Sequence, residues 1–388
     1  MKKEEIKKII LLFFIWRISL FIIAYLASFV LPFKPSFPYF DGLHNFNPFK
    51  FLYSFANFDG VHYLMLAEYG YRSNFSGTTQ AFFPSFPVFI AFLNLFIKNF
   101  LVSGLLISNF AFLFFLFYLF YYLKNKWNVL LAWRIIYLVL LFPTSFYFAS
   151  VYSESLFLLL LLLNLIYYQK KNFLGFFLTG FFLTATRVIG IFWPFALLVE
   201  MLCRIVKNKK PLLQSIKQNI FLIFIICSTS LGLISYMFYL RINFNDPFYF
   251  FTVQNRFGAG RQSQLVLFPQ VIWRYLKMLI TISYDWKFYA IFQELVISLL
   301  FLGLLITSLR RKYRISISWL LFSFLSYFLP TLTGVFSSMP RYVLVCFSGF
   351  FVLAQLKVKK KIFYSLLFIS GIFLVLNLIL FTQGYWVS

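Results

Sequence analysis

The chain has few of the residues from which soluble enzymes build polar sites. Its 388 residues include 10 Asp and Glu residues together, 2 histidines and 3 cysteines, and only 12% of residues are charged. Two histidines are too few for a histidine-rich metal site, and the sequence contains no DxD-type metal motif, so we expect no metal requirement. Cys203, Cys227 and Cys346 lie in or at the ends of apolar segments without metal-ligand spacing. We expect them to pack as small apolar side chains rather than form disulfides.

What the chain has instead is apolar surface. Hydrophobic residues make up 62% of it, aromatic residues 24%, and the mean hydropathy is +0.85, which is outside the range of water-soluble domains. Runs such as 9–31 and 362–381 can cross a hydrocarbon core about 30 Å thick, which takes about 20 helical residues. No polar linker divides the chain. The sequence therefore predicts an all-α integral membrane protein with one polytopic domain over residues 1–388.

The net charge of +25 does not predict a nucleic-acid partner. The basic residues form clusters between apolar runs, which is the pattern that orients membrane proteins with these clusters in the cytoplasm. This places the N-terminus in the cytoplasm. The clusters are Lys2/Lys3/Lys7/Lys8, Lys124/Lys126/Arg134, Lys170/Lys171, Arg204/Lys207/Lys209/Lys210/Lys217, Arg310/Arg311/Lys312/Arg314 and Lys357/Lys359/Lys360/Lys361.

These clusters predict a bundle of about eleven transmembrane helices. The predicted spans are 9–31, 101–123, 130–150, 153–168, 173–187, 189–203, 217–240, 288–309, 316–335, 342–357 and 361–381. If the apolar segment 81–98 crossed the membrane, the orientation of every later span would be reversed. Pro84 and Pro87 also disfavour a straight helix there. We predict that it is interfacial or re-entrant, within a large first outer loop (about 32–100) that carries interfacial helices. The second outer loop covers about 241–287.

An acidic segment in the first outer loop is the first candidate site. Apolar residues after Asp59 recur at helical spacing, which predicts a short amphipathic helix over 60–70, lying on the membrane. Asp59 then either caps this helix or acts as a general base toward a substrate hydroxyl. His62, one turn later, would orient the acid, bind a sugar hydroxyl or sit at the interface. Glu68 is either an exposed interfacial residue or a substrate ligand.

Four further charged residues at the predicted outer face are candidates for substrate binding. Glu154 begins an apolar span, where a carboxylate is costly and usually functional, although it could instead cap the helix. Arg187 and Arg341 suit a phosphate, because guanidinium groups bind phosphate oxygens in a fork; the alternative is snorkelling at the bilayer boundary. Arg256, with Arg261 in the same glycine-rich loop, adds either a binding group or solvated charge.

Taken in order, these segments resemble the PIG-V mannosyltransferase family. The resemblance rests on Asp-Gly-Val-His-Tyr-Leu at 59–64, Glu-Tyr-Gly-Tyr at 68–71 and Ala-Phe-Phe-Pro-Ser-Phe-Pro at 81–87. It continues with Tyr-Ser-Glu-Ser-Leu-Phe at 152–157, Thr-Arg-Val-Ile-Gly at 186–190 and Ser-Met-Pro-Arg-Tyr at 338–342. It covers most of the chain and is strongest over 57–92 and 150–190. Phe58 departs from the family, which usually has Trp before this Asp.

The resemblance implies a GT-C glycosyltransferase. Such an enzyme would move a sugar, with mannose expected, from a polyprenyl (dolichyl-type) phosphate donor to an acceptor hydroxyl at the outer face, with inversion. Asp59 would be the general base beside His62, and the donor itself would be a substrate, so no cofactor is implied.

Several alternatives stay open. The acceptor could be a glycolipid, a glycan or a protein, and a partner subunit is neither required nor excluded. The membrane would be the plasma membrane of a prokaryote or the endoplasmic reticulum of a eukaryote. A transporter or flippase for a lipid-linked sugar is the alternative function. It fits less well with acidic residues that are predicted to lie at one face of the membrane, because alternating access usually places ionisable groups at the bilayer midplane.

Overall fold

The computed structural model describes residues 1–37, 39–47, 49–71, 78–207, 212–257, 264 and 266–387. In these ranges the chain is helical and contains no β-strand. The α-helices are α1 (Lys3–Val30), α2 (Asp41–Phe46), α3 (Lys50–Tyr53), α4 (Asp59–Tyr69), α5 (Ser85–Ile97), α6 (Phe100–Lys126), α7 (Val129–Leu140), α8 (Glu154–Gln169), α9 (Phe173–Thr184), α10 (Phe192–Lys207), α11 (Leu212–Gln218), α12 (Ile220–Ser228), α13 (Leu231–Phe244), α14 (Tyr249–Thr252), α15 (Phe268–Thr281), α16 (Trp286–Ser308), α17 (Ile317–Thr331), α18 (Met339–Tyr342), α19 (Phe347–Gln355) and α20 (Lys360–Thr382). Short 3-10 helices lie at Ser54–Ala56, Thr79–Ala81, Ser145–Ala149, Val188–Ile191, Val253–Phe257, Arg311–Tyr313 and Val343–Val345.

Several helices are long and apolar enough to cross a membrane. Among the described residues, α1, α6, α16, α20 and the segment Val188–Lys207 meet this criterion, and α12 with α13 forms one more span if the 46° bend between them lies inside it. This gives 5 or 6 candidate spans. The prediction of an all-α, multi-pass membrane protein is therefore confirmed in this coarser form.

The predicted number of about eleven crossings stays a prediction. The predicted spans 130–150 and 173–187 overlap α7 and α9, which have 12 residues each, and 342–357 contains α19, which has 9 residues. At about 1.5 Å per residue these helices reach roughly 18 Å or less, which is short of the hydrocarbon thickness. The segment 81–98 contains α5, an apolar helix of 13 residues that begins directly after Pro84.

The amphipathic character predicted for residues 60–70 is wrong. The helix α4 exists, but every residue from Gly60 to Leu66 is buried. The helix packs against α5, α6 and the 3-10 turn at Ser54–Ala56, so these residues lie inside the protein and not on its surface. Its near-continuous apolar sequence suits this enclosure better than an interface with one polar face. Only its C-terminal end, at Glu68 and Tyr69, is exposed.

The C-terminal segment packs against the chain that follows α1. The backbone N–H of Lys34 donates to the carbonyl of Gln383 at 2.9 Å, and that of Ser36 donates to Gly384 at 2.8 Å. Gly384 has φ +85, and an added Cβ would lie 2.7 Å from Pro35 Cα, so this crossing requires glycine. The segment thereby brings Trp386 into edge contact with Phe58, with ring centroids 5.3 Å apart.

The three cysteines are free. Cys346 is buried, as expected for a packing role, whereas Cys203 and Cys227 are exposed. Exposed here means uncovered by protein, which for an apolar helix in a bilayer is compatible with contact to lipid.

Candidate functional site

A cavity of about 640 Å³ gathers side chains from distant parts of the chain. Its volume is within the range of small-molecule sites, roughly 300–1,000 Å³. Aromatic and aliphatic side chains form slightly more than half of its wall, and polar or charged side chains form the rest. The lining residues that matter below are Asp59, His62, Arg187, Arg256, Arg341 and Trp386.

Charged side chains form a connected network at one wall of this cavity. Arg341 Nη1 lies 2.6 Å from Asp59 Oδ2, and Arg341 Nε lies 3.6 Å from Glu154 Oε1. Arg187 Nη1 donates to the same Glu154 oxygen. The side chain of Asp59 is 26% exposed and that of Glu154 only 2%. Asp59 is therefore the carboxylate that a ligand can reach, and Glu154 holds the two guanidinium groups from behind.

The local backbone presents Asp59 at the start of α4. Phe58 is the N-cap and has φ +60, a conformation that costs a bulky residue energy and is found where surrounding structure enforces it. The Asp59 N–H donates to the Tyr152 hydroxyl at 3.2 Å, and that hydroxyl donates to the Asn57 carbonyl at 2.8 Å. The helix begins at Asp59 itself, and no side chain caps it, so the carboxylate is left to bind Arg341.

His62 lines the same cavity as Asp59 and is electrically neutral near pH 7. Its ring stacks on Phe82 at 4.7 Å with an interplanar angle of 18°. Burial lowers the pKa of His62 to about 4, and the charge of Asp59 opposes this only in part. A neutral imidazole can exchange hydrogen bonds, but it supplies no positive charge to the site.

A tight turn that begins at Ser338 fixes the position of Arg341. Ser338 has φ +66 and is the N-cap of the short helix α18, where the N–H groups of Arg341 and Tyr342 donate to the Ser338 carbonyl at 3.0 and 2.9 Å. The guanidinium packs over the rings of Tyr147, Tyr152 and Tyr342, 5.1–5.4 Å from their centroids. Burial alone would lower the pKa of Arg341, but Asp59, Tyr342 and Glu154 outweigh it and raise the pKa above its ordinary value. The group is a permanent cation.

Helix boundaries place Glu154 and Arg187 together. Glu154 is the first residue of α8, Ser153 is its N-cap, and no side-chain cap bond forms there. The capping role considered for Glu154 is therefore wrong, because its carboxylate binds arginine instead, while the helix N-terminus favours its negative charge. Arg187 lies in the break between α9 and the 3-10 turn Val188–Ile191, where the predicted spans 173–187 and 189–203 meet.

The remaining predicted residues lie further out. Arg256 is at the exposed edge of the cavity, where Nη1 lies 3.4 Å from the Tyr249 hydroxyl. Glu68 is exposed at the far end of α4 and does not line the cavity, which matches the interfacial interpretation better than substrate binding. Arg261 lies outside the described residues.

Sequence reasoning missed Glu294, Tyr152 and Trp386. Glu294 is buried inside the candidate span α16, and a carboxylate within an apolar run was a signal that could have identified it. Tyr152 and Trp386 gave no such signal, because aromatic residues are common throughout this chain. Their role follows only from the way the chain folds.

Among the described ranges, no group of three or more His, Cys, Asp and Glu side chains is placed to hold a metal ion. Comparison with known proteins adds no identification: no family model matches the chain, and a search of curated proteins found no significant match.

Proposed function

We propose that the protein is a membrane glycosyltransferase that moves a sugar from a polyprenyl phosphate to an acceptor hydroxyl, and that the sugar is mannose. The observation that carries the proposal is the pairing of Asp59 with Arg341, residues 282 positions apart, on the wall of one cavity. A reachable carboxylate beside fixed guanidinium groups is what transfer from a sugar phosphate requires. The ordered PIG-V-like motifs support the same function, and those at 59–64, 152–157, 186–190 and 338–342 contribute this network.

In this reaction the acceptor oxygen attacks the anomeric carbon while the bond from that carbon to the phosphate oxygen breaks. Asp59 accepts the proton of the attacking hydroxyl. The lipid leaves as a phosphate monoester and takes the bonding electron pair. Direct displacement inverts the anomeric configuration relative to the donor.

The arginines act on the charge that develops on the leaving phosphate. Arg187 and Arg341 line the cavity, and guanidinium donors that are already in place stabilise such charge without reorganisation. The two carboxylates and two guanidiniums cancel in formal charge, and Arg256 at the edge leaves one net positive charge among these five side chains. This net positive charge favours an anionic donor.

The proposed orientation places the cavity at the outer membrane face and the basic clusters with the N-terminus in the cytoplasm. Membrane lipids surround the helices, and the acceptor is a glycolipid, a glycan or a protein. In a prokaryote this face is outside the plasma membrane, and in a eukaryote it is the lumen of the endoplasmic reticulum.

The proposal is tested with the purified protein in liposomes that contain radiolabelled polyprenyl-phosphate mannose. We expect mannose to be released to water or to an added glycolipid acceptor, with inverted configuration in the transferred product. Movement of intact donor between leaflets without cleavage would reject the transferase in favour of the flippase. The protein-free liposome and the Arg341→Lys variant, which keeps the charge but loses the fork, are the controls.

A further inference from the structure

Glu294 is a buried carboxylate that the proposed reaction does not use. It lies in α16, a candidate membrane span, and is 3% exposed. A carboxylate at such a position is costly unless strong donors satisfy it. It is absent from the lining of the cavity, so its function has to be sought in the groups that it binds.

Glu294 binds three separate elements. Its Oε2 accepts a hydrogen bond from the Tyr275 hydroxyl of α15 at 2.6 Å. Its Oε1 accepts from the Ser338 backbone N–H at 3.2 Å and lies 3.4 Å from Trp386 Nε1. Two of these three partners, Ser338 and Trp386, line the cavity.

The bond to Ser338 connects Glu294 to Arg341. Ser338 has φ +66 and starts the turn that carries Arg341, and a left-handed serine needs surrounding structure to hold it. The Phe336 N–H donates to the Tyr275 hydroxyl at 3.0 Å, so Tyr275 holds the same loop at a second point. Together, Glu294 and Tyr275 hold the backbone from 336 to 338 just before the turn.

We propose that Glu294 is a positioning residue for Arg341, acting through the Ser338 backbone, and that it sets the guanidinium where the anionic part of the substrate binds. The identification of that anion as a polyprenyl phosphate rests on the proposed function; the link from Glu294 to Arg341 does not. Reacting groups that shift by about 1 Å can lose about 10²-fold in rate, so the effect is measurable in turnover.

The test is a double-mutant cycle between Glu294→Leu and Arg341→Lys. The readout is kcat/KM for polyprenyl-phosphate mannose with the full chain in liposomes. We expect Glu294→Leu to lower kcat/KM by about 10²-fold in the wild-type background. In the Arg341→Lys background it should lower kcat/KM little further, because both substitutions disturb the same placement of the guanidinium. Glu294→Gln keeps an acceptor for Ser338 and should recover most of the activity.

Glu200→Leu is the matched control. Glu200 is also a buried glutamate that accepts a backbone N–H, from Ser318 at 2.9 Å, and it does not line the cavity. Its loss should lower thermal stability but leave kcat/KM within about 2-fold, and its effect should add to that of Arg341→Lys. If Glu294→Leu behaves like Glu200→Leu, Glu294 is structural and the inference is overturned.

Two further results keep the test decisive. If Glu294→Leu does not accumulate, Tyr275→Phe replaces it in the cycle, where non-additivity with Arg341→Lys supports the inference and additivity overturns it. If the wild type turns over no donor, the proposed function fails. The same cycle measured by thermal unfolding without donor then decides, since coupled unfolding shifts would sustain the positioning role and additive shifts would reject it.

Discussion

At the scale of single residues, the site depends on the Glu154 carboxylate, which interacts with the guanidinium groups of both Arg187 and Arg341. Glu154 is almost fully covered and binds Arg187 while lying 3.6 Å from Arg341. Removing one partner of such a buried pair leaves uncompensated charge, whereas removing both is far less costly. This asymmetry distinguishes a buried network from exposed ion pairs, which contribute little.

We therefore expect Arg187→Met to destabilise the protein by about 3–5 kcal/mol. The double variant Arg187→Met with Glu154→Gln should recover part of that loss, because it also removes the negative charge that Arg187 had compensated. Thermal unfolding in one detergent compares the three variants. Equal or greater loss in the double variant would contradict the role of Glu154 as the charge that Arg187 compensates.

The free energy of unfolding should fall as the pH drops from the pKa of His62 in the unfolded chain to its lower pKa in the folded protein. The unfolded chain binds this proton below pH about 6.5, but burial lowers the pKa of His62 in the fold to about 4. Between these values the unfolded state binds more protons, so stability is lost as the pH falls, by up to about 3 kcal/mol, and is unaffected above pH about 7. Thermal unfolding of wild type and His62→Gln from pH 7.5 to 4 measures this loss.

The other histidine in the chain provides the control. His44 is exposed, so His44→Gln should keep the wild-type pH dependence while His62→Gln reduces it. Identical pH dependence in wild type and His62→Gln would show that His62 is accessible to protons, contrary to its enclosure against Phe82.

Single site residues could be predicted from the sequence where charged residues are rare, but the ion pairs that they form could not. Asp59, Arg187 and Arg341 stood out because charged residues are scarce between the basic clusters, and the structure brings all three to one cavity. The pairing of Asp59 with Arg341 depends on how distant segments fold, which no local pattern encodes. Glu294 was overlooked because a long apolar span was assigned from its average hydropathy.

At the scale of helices, close packing depends on glycine at one crossing in particular. A Cβ on Gly232 of α13 would lie 1.9 Å from the Phe181 carbonyl of α9, so the two helices approach to backbone contact there. Small residues allow such approach in membrane helices. In α16, by contrast, a Cβ on Gly303 would meet nothing within 4 Å.

The variant Gly232→Ala should lower thermal stability markedly, because α9 and α13 have to separate. Gly303→Ala should be neutral or stabilising by up to about 1 kcal/mol, since alanine is the better helix former. Both are read from unfolding in the same detergent. Equal effects of the two substitutions would contradict the close contact of α9 with α13.

Helix boundaries followed from the sequence where apolar runs are long and uninterrupted. The predicted spans 101–123, 288–309 and 361–381 match α6, α16 and α20 to within three residues, and 9–31 matches the end of α1, which begins earlier, at Lys3. Between α7 and α8, however, the chain makes a wholly buried 3-10 turn at Ser145–Ala149. Hydropathy alone reads such a buried turn as part of a span, because its aromatic residues are as apolar as those of a helix.

At the scale of the whole molecule, orientation is the feature that the proposed function requires. The basic residues at 310–314 should face the cytoplasm and the loop that carries α4 should face outward. Lys312 and Glu68 are both exposed, so each can report its side. With the protein in the plasma membrane of a prokaryotic host, we expect an impermeant maleimide to label Glu68→Cys in intact cells and Lys312→Cys only after permeabilisation, each in a background that lacks the three native cysteines.

Labelling of both positions from one side would reject this topology, because an odd number of crossings has to separate them. Labelling of Lys312→Cys alone in intact cells would invert the molecule and place the cavity in the cytoplasm. A version without any introduced cysteine sets the background.

The central claim is that the Asp59 carboxylate removes the acceptor proton in sugar transfer. The most direct measurement is turnover of polyprenyl-phosphate mannose by wild type, Asp59→Asn and the control Asp41→Asn, which changes an exposed Asp of the same loop. Loss of a general base costs about 10²–10⁴-fold, so Asp59→Asn should lose that much while remaining folded and Asp41→Asn should match wild type. Turnover by folded Asp59→Asn at the wild-type rate would contradict the claim.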